Sequence, residues 1–137
     1  MRWLILAALV LCSVYDVRGL SVPIWATCLS FVLAGVCLIQ RGGFPAYEII
    51  LSLIPGILLF LYSLAARGMM GAGDALIIMA VGLGTGFLPA IVAVCLAFVL
   101  AAVFAAVLIV FFRKGRSFRI PFVPFIATGT GVALWLI

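Results

Sequence analysis

Six apolar stretches fill almost all of this chain, and the breaks between them are too short to fold by themselves. They run from about Trp3 to Tyr15, Ile24 to Gln40, Tyr47 to Ala66, Ala75 to Leu88, Ala90 to Phe112 and Ile120 to Ile137, separated by charge, glycine and proline. Hydrophobic residues make up 69% of the 137 positions and charged residues 8%, against roughly a quarter charged in a soluble domain. No soluble core of this size could absorb so much apolar surface. The expected fold is therefore an all-α integral membrane protein, one domain over residues 1–137 with about six transmembrane helices. Spanning takes about twenty residues. The short first and fourth segments must draw in flanking residues or meet a thinner bilayer.

Positive charge orients these segments. If they alternate across the bilayer, one side receives Arg18, Arg67, Arg113, Lys114, Arg116 and Arg119, and the other receives Arg2 and Arg41. Lys and Arg collect in cytoplasmic loops, so the richer side is expected in the cytoplasm and both termini outside it. The same rule, with anionic lipid as the contact, accounts for the net charge of +5 without a nucleic-acid partner. Arg2 followed by an apolar run resembles a signal peptide. No small-x-small cleavage site follows it, so a retained helix is expected. Cys12, Cys28, Cys37 and Cys95 lie inside apolar runs with no CxxC pair, which speaks for free thiols rather than disulfides or zinc. Trp3, Trp25 and Trp135 near segment ends suit interfacial anchoring. Gly82 and Gly86 form a GxxxG, and Ala97, Ala101 and Ala105 a ladder at i, i+4 spacing; both read as helix-packing surfaces.

The chain has three acidic residues and no histidine. Ser-His and Cys-His nucleophiles are excluded, as is a histidine-based metal site. Lys114, the one lysine, sits in a basic loop beside Ser117, where it serves topology rather than a Ser-Lys dyad. Gly82-Leu83-Gly84-Thr85-Gly86 lies between apolar segments and not in a phosphate-binding context. No cofactor is expected. Glu48 falls on the far side as a solvated charge, whereas Asp16 and Asp74 both fall on the cytoplasmic side. Acids at a membrane are functional candidates by default. Two close carboxyls can share one proton, one taking a proton from water and the other donating. Either acid could instead cap a helix by accepting open N–H groups. Gly71 and Gly73 beside Asp74 suit a turn with positive φ or a close backbone approach.

Gly71-Ala72-Gly73-Asp74 before an apolar helix resembles the GxGD motif of intramembrane aspartyl proteases. Asp16-Val17-Arg18, with Val22-Pro23 following, resembles the D-x-R-x-x-x-[IV]-P signature of type IV prepilin peptidases. The segment from Ile120 through Pro121, Phe122, Val123 and Pro124 to Gly129 resembles their closing P-F-x-P-x-x-x-x-G. All three occur in family order and together cover nearly the whole chain. The resemblance implies an inner-membrane aspartic endopeptidase that removes the leader of type IV prepilins or type II secretion pseudopilins at the cytoplasmic face, with Asp16 and Asp74 as its catalytic pair. It also implies that Gly71, Gly73, Arg18, Pro23, Pro121, Pro124 and Gly129 support them. Many members place Val-Lys after the GxGD aspartate, whereas Ala75-Leu76 follows here. Longer members carry a tetracysteine zinc domain that methylates the pilin. This chain has the pattern of the minimal form, as in tight-adherence pilus systems, with membrane lipid and prepilin as its partners and its oligomeric state open. The rival reading is a small proton-coupled transporter using Asp74. Such a protein would want its acid near the bilayer midplane.

Overall fold

Proline and glycine set the helix limits in the computed structural model, which describes residues 2–19, 23–42, 45–66, 71–113 and 120–137. The helices are α1 (Arg2–Gly19), α2 (Ile24–Gln40), α3 (Ala46–Ala65), α4 (Ala72–Thr85), α5 (Phe87–Phe112) and α6 (Val123–Leu136). Pro23 and Pro45 stand at the starts of α2 and α3 with φ of −66° and −58°, the value a proline ring imposes and a helix accepts. Among the described residues the fold is all-helical, as composition required.

Two expected limits move for identifiable reasons. The first helix continues past Tyr15 through Asp16 and Arg18 to Gly19. The fourth starts at Ala72 rather than Ala75, so Asp74 lies inside its first turn. An acid is favourable there because the first-turn N–H groups carry partial positive charge. Val22, Arg67, Lys114, Arg116, Ser117 and Arg119 lie outside the described residues.

The fourth helix is the hub. It packs against each of the other five, while among the described residues α2 and α3 do not pack on each other. Its sequence explains this position: Ala75, Ile77, Ile78, Ala80, Val81, Gly82, Gly84 and Thr85 are all buried, and a helix apolar on every side belongs in a core. A side-chain carbon on Gly82 would run into the Ser52 carbonyl of α3, and one on Gly84 into Ile5 of α1. The GxxxG reading holds only for its first member. Gly86 is past the end of the helix, with φ +95° in the turn to α5, a conformation glycine adopts without penalty. The alanine ladder on α5 also shifts. Ala90, Ala93 and Ala97 are the buried set, whereas Ala101 and Ala105 are only partly covered. Against Ala93 and Ala97 lies Gly129 of α6, close enough that a methyl group there would strike the Ala93 carbonyl oxygen.

Outward surfaces are apolar. α3 and α5 are long and apolar enough to cross a membrane. Ile50, Leu58, Leu61 and Leu64 on α3 are exposed, as are Val99, Val103, Ile109, Val110 and Phe111 on α5. With 26 residues at about 1.5 Å each, α5 exceeds the roughly 30 Å of a hydrocarbon layer. Trp3, Trp25 and Trp135 are all more than half exposed. Cys12 and Cys37 are buried, Cys28 and Cys95 exposed, and none of the four is in a disulfide.

Candidate active site

Asp16 occupies the last turn of α1 and is 4% exposed. A buried carboxyl needs hydrogen-bond partners, and this one finds them 107 residues away in sequence. The Val123 N–H donates to Asp16 Oδ2 at 3.2 Å, and the Phe122 N–H is directed at the same carboxyl. The first amides of any helix lack intrahelical acceptors, and a full accounting at the start of α6 explains the local sequence. Pro121 and Pro124 have no N–H to offer. The Phe125 and Ile126 N–H groups donate to the Phe122 carbonyl at 3.0 and 3.2 Å. Only the two amides between the prolines remain; Asp16 accepts that of Val123 and faces that of Phe122. The capping alternative raised by the sequence is thus real for Asp16, with the cap made across the fold rather than to a neighbouring residue.

One turn earlier on the same face of α1, Cys12 fixes the height of this helix against α2. Its Sγ donates to the Ala26 carbonyl at 3.7 Å and lies 3.6 Å from Ser30 Oγ, while Ser30 Oγ donates to the same carbonyl at 2.9 Å. Pro23 starts α2, and its carbonyl accepts from the Ala26 and Thr27 amides and from Thr27 Oγ1. This anchors the first turn of α2 beside the upper part of α1. Cys12, Ser30 and the two α6 amides are the contributors that sequence reasoning missed. A pair of amides framed by two prolines was the signal for the latter.

Asp74 is partly buried at the third residue of α4, and its own N–H donates to the Gly71 carbonyl at 3.1 Å. The expectation of positive φ in the glycine turn is not met. Gly71 has φ −67° and Gly73 is helical. A Cβ on Gly71 would make only an ordinary contact, 3.4 Å, with Asp74 Oδ2, which leans back over it, so neither turn geometry nor lack of room demands glycine here. Across the α1–α4 contact, Asp74 and Asp16 are near enough for their charges to interact. Two of the three acids, 58 positions apart in sequence, thus lie within electrostatic range of each other at one end of the hub helix.

The other expected site residues divide. Gly129 sets the approach of α6 to α5, and Pro121 and Pro124 frame the donor amides. Arg18 is exposed, two residues and hence about 200° around α1 from Asp16, so it is turned away from the pair. Glu48, in the first turn of α3, lines a small cleft with Leu38, Ser52, Gly82, Leu83 and Gly86, at the opposite end of α4 from Asp74. Among the described residues no cluster of His, Cys, Asp and Glu could hold a metal ion.

A family model described as the type IV leader peptidase family matches residues 3–106, well over half of the chain. The chain belongs to the type IV leader peptidase family. Both aspartates and the hub helix fall within the match, which ends inside α5, so α6 with its Pro121–Gly129 segment lies beyond it. No curated protein and no solved structure matches the chain. Membership makes the protein a peptidase, hence a hydrolase acting on peptide bonds.

Proposed function

We propose that this leader peptidase is an intramembrane aspartic endopeptidase that cuts the leader from type IV prepilins or pseudopilins, using Asp16 and Asp74 as one catalytic pair. The observation that carries the reading is the placement of these two acids within electrostatic range of each other at one end of α4, in a family of peptidases that offers no histidine here. Two like charges held close cannot both form cheaply, so one carboxyl keeps a proton while the other is ionised. The ionised one takes a proton from water as the hydroxide attacks the scissile carbonyl carbon. The neutral one hydrogen-bonds the carbonyl oxygen and then gives its proton to the leaving amine as the C–N bond breaks. Hydroxyl ends on the new carboxyl terminus and hydrogen on the new amine, and the pair again holds one proton.

The apolar outer surface and the two long apolar helices support a membrane setting. In this reading all six helices cross the bilayer, with both acids at the cytoplasmic face where Lys and Arg collect. Family membership favours hydrolysis over the proton-transporter alternative. Prepilins present a short basic leader ahead of an apolar segment, and the lipid-facing helices around the acids offer that segment a compatible medium. The test is co-expression with candidate prepilins from the same genome, followed by purified protein in lipid with a synthetic prepilin. Conversion to the mature size by the unaltered protein and none by Asp16→Asn or Asp74→Asn is expected. Near-normal processing by either variant would remove the proposed chemistry.

A further inference from the structure

The two acids are chemically identical but do not have the same surroundings. Asp16 faces the start of a 14-residue helix and is met by two backbone amides from it. Such a helix terminus carries partial positive charge, and amides donated to a carboxyl favour its ionised form. Asp74 is also covered by protein, yet among the described residues its carboxyl receives no hydrogen bond; its recorded electrostatic neighbour is Asp16. The helices packed on α1 and α4 supply little else that could distinguish the two. α3 adds Tyr62, which is exposed, and Tyr47 and Glu48 at its far end, and α5 adds only Cys95, also exposed. α6 has no titratable residue, and α4 has only Asp74. α2 has only Cys28, which is exposed, and Cys37 in its last turn, far from the acids. On α1 itself Tyr15 and Arg18 point outward and Cys12 is committed to α2. Burial disfavours charge on both acids and the first turn of α4 favours it on Asp74; against this, among the described residues only Asp16 accepts amides from another helix.

Resting on the dyad reading above, we infer that the dyad is asymmetric: the N–H groups of Phe122 and Val123 hold the negative charge on Asp16, making Asp16 the general base and Asp74 the proton donor. The amides are positioning groups, acting on the reaction through Asp16. Pro121 and Pro124 belong to the same device, since a residue with an N–H at either place would add a donor that has no acceptor in the helix.

The chain has only two aspartates, so carboxyl-13C-aspartate reports on these two groups alone and leaves Glu48 silent. The experiment is an infrared or NMR titration of the labelled full-length protein in lipid, as Asp74→Asn and as Asp16→Asn. Asn at position 16 keeps an oxygen to accept from Val123, so α6 retains its dock. The expected result is that Asp16, observed in Asp74→Asn, ionises at lower pH than Asp74 observed in Asp16→Asn. Val123→Pro, made in the Asp74→Asn background, deletes one donor at the first helical position. Because Phe122 before it stands in the α region, which a following proline disfavours, the transition is read only from protein that circular dichroism shows to be folded. The substitution should move the Asp16 transition to higher pH, which a merely structural contact would not do. Equal midpoints, the reverse order, or an unmoved transition in a folded Val123→Pro protein would overturn the assignment. Cleavage separates the two levels. If either single Asn variant still processes prepilin, the dyad reading falls. If both are inactive and the order is reversed, only the assignment falls.

Discussion

Gly129→Ala tests the packing that sets the site. A methyl group there meets the Ala93 carbonyl oxygen closer than real Cβ atoms approach any atom, with the Ala93 carbonyl carbon and the Ala97 nitrogen each at 3.3 Å. All three are backbone atoms, so no side-chain rotation relieves the clash, and α5 and α6 must separate. Overpacking of this kind costs typically about 1–3 kcal/mol, from which the roughly 0.5–1 kcal/mol gained by replacing a mid-helix glycine must be subtracted. A net loss of about 1–2 kcal/mol remains. Gly131→Ala is the control. Its methyl meets only the tip of Leu6, at 3.2 Å, which can turn aside, so the change should be neutral or slightly stabilising. Val123 lies six residues before Gly129, about 9 Å along the helix, so a shifted α6 also carries its amides off Asp16. Displacements near 1 Å can cost about a hundredfold in rate. Denaturant unfolding in detergent micelles and prepilin processing should therefore both fall in Gly129→Ala and hold in Gly131→Ala. Two variants alike in stability and activity would refute the close contact of α5 and α6.

Other outcomes follow from the same geometry. Gly86→Ala forces a side chain into φ +95° and should lower stability by roughly 1–2 kcal/mol in the same unfolding assay, with the processing rate per folded molecule unchanged. The Asp16→Asn, Asp74→Asn double variant should process no worse than either single one, because groups acting as a unit are not additive. Asp→Glu at either position should lose about a hundredfold or more in processing, since an added methylene moves the carboxyl by roughly 1 Å. Arg18→Ala should keep most of its processing activity, because that side chain points away from the acids; loss comparable to the Asn variants would place it in the reaction.

Local rules read much of this chain well. Pro23 and Arg41 bound α2 at the residues expected, because a proline starts it and a charge follows its end. The errors came from treating charges and prolines as breaks: Pro89, expected between two helices, lies in the first turn of α5. Asp74 lies in the first turn of α4, where helix N–H groups favour an acid. Asp16 lies in the last turn of α1, where its own helix does not, and is held by the start of α6 instead. Gly82 and Gly86 are spaced as a packing motif, yet one permits a helix contact and the other a turn, and spacing alone does not separate these uses. The acids were found by their rarity among apolar residues. The link from Asp16 to Val123 was not, because nothing in either segment specifies a partner 107 residues distant. Its trace was the Pro121–Pro124 pair, legible only once one asks where the two intervening amides go.

The hub position of α4 carries a consequence for the order in which the molecule becomes complete. Both acids emerge early in synthesis, on the first and fourth helices, but the amides that engage Asp16 belong to the sixth. A nascent chain that has reached the end of α5 holds the two carboxyls with Asp16 still lacking those donors and α4 still lacking one flank. Arrival of the fourteen-residue α6 supplies both at once. Until α6 docks, the nascent chain carries both acids without the amides that distinguish them.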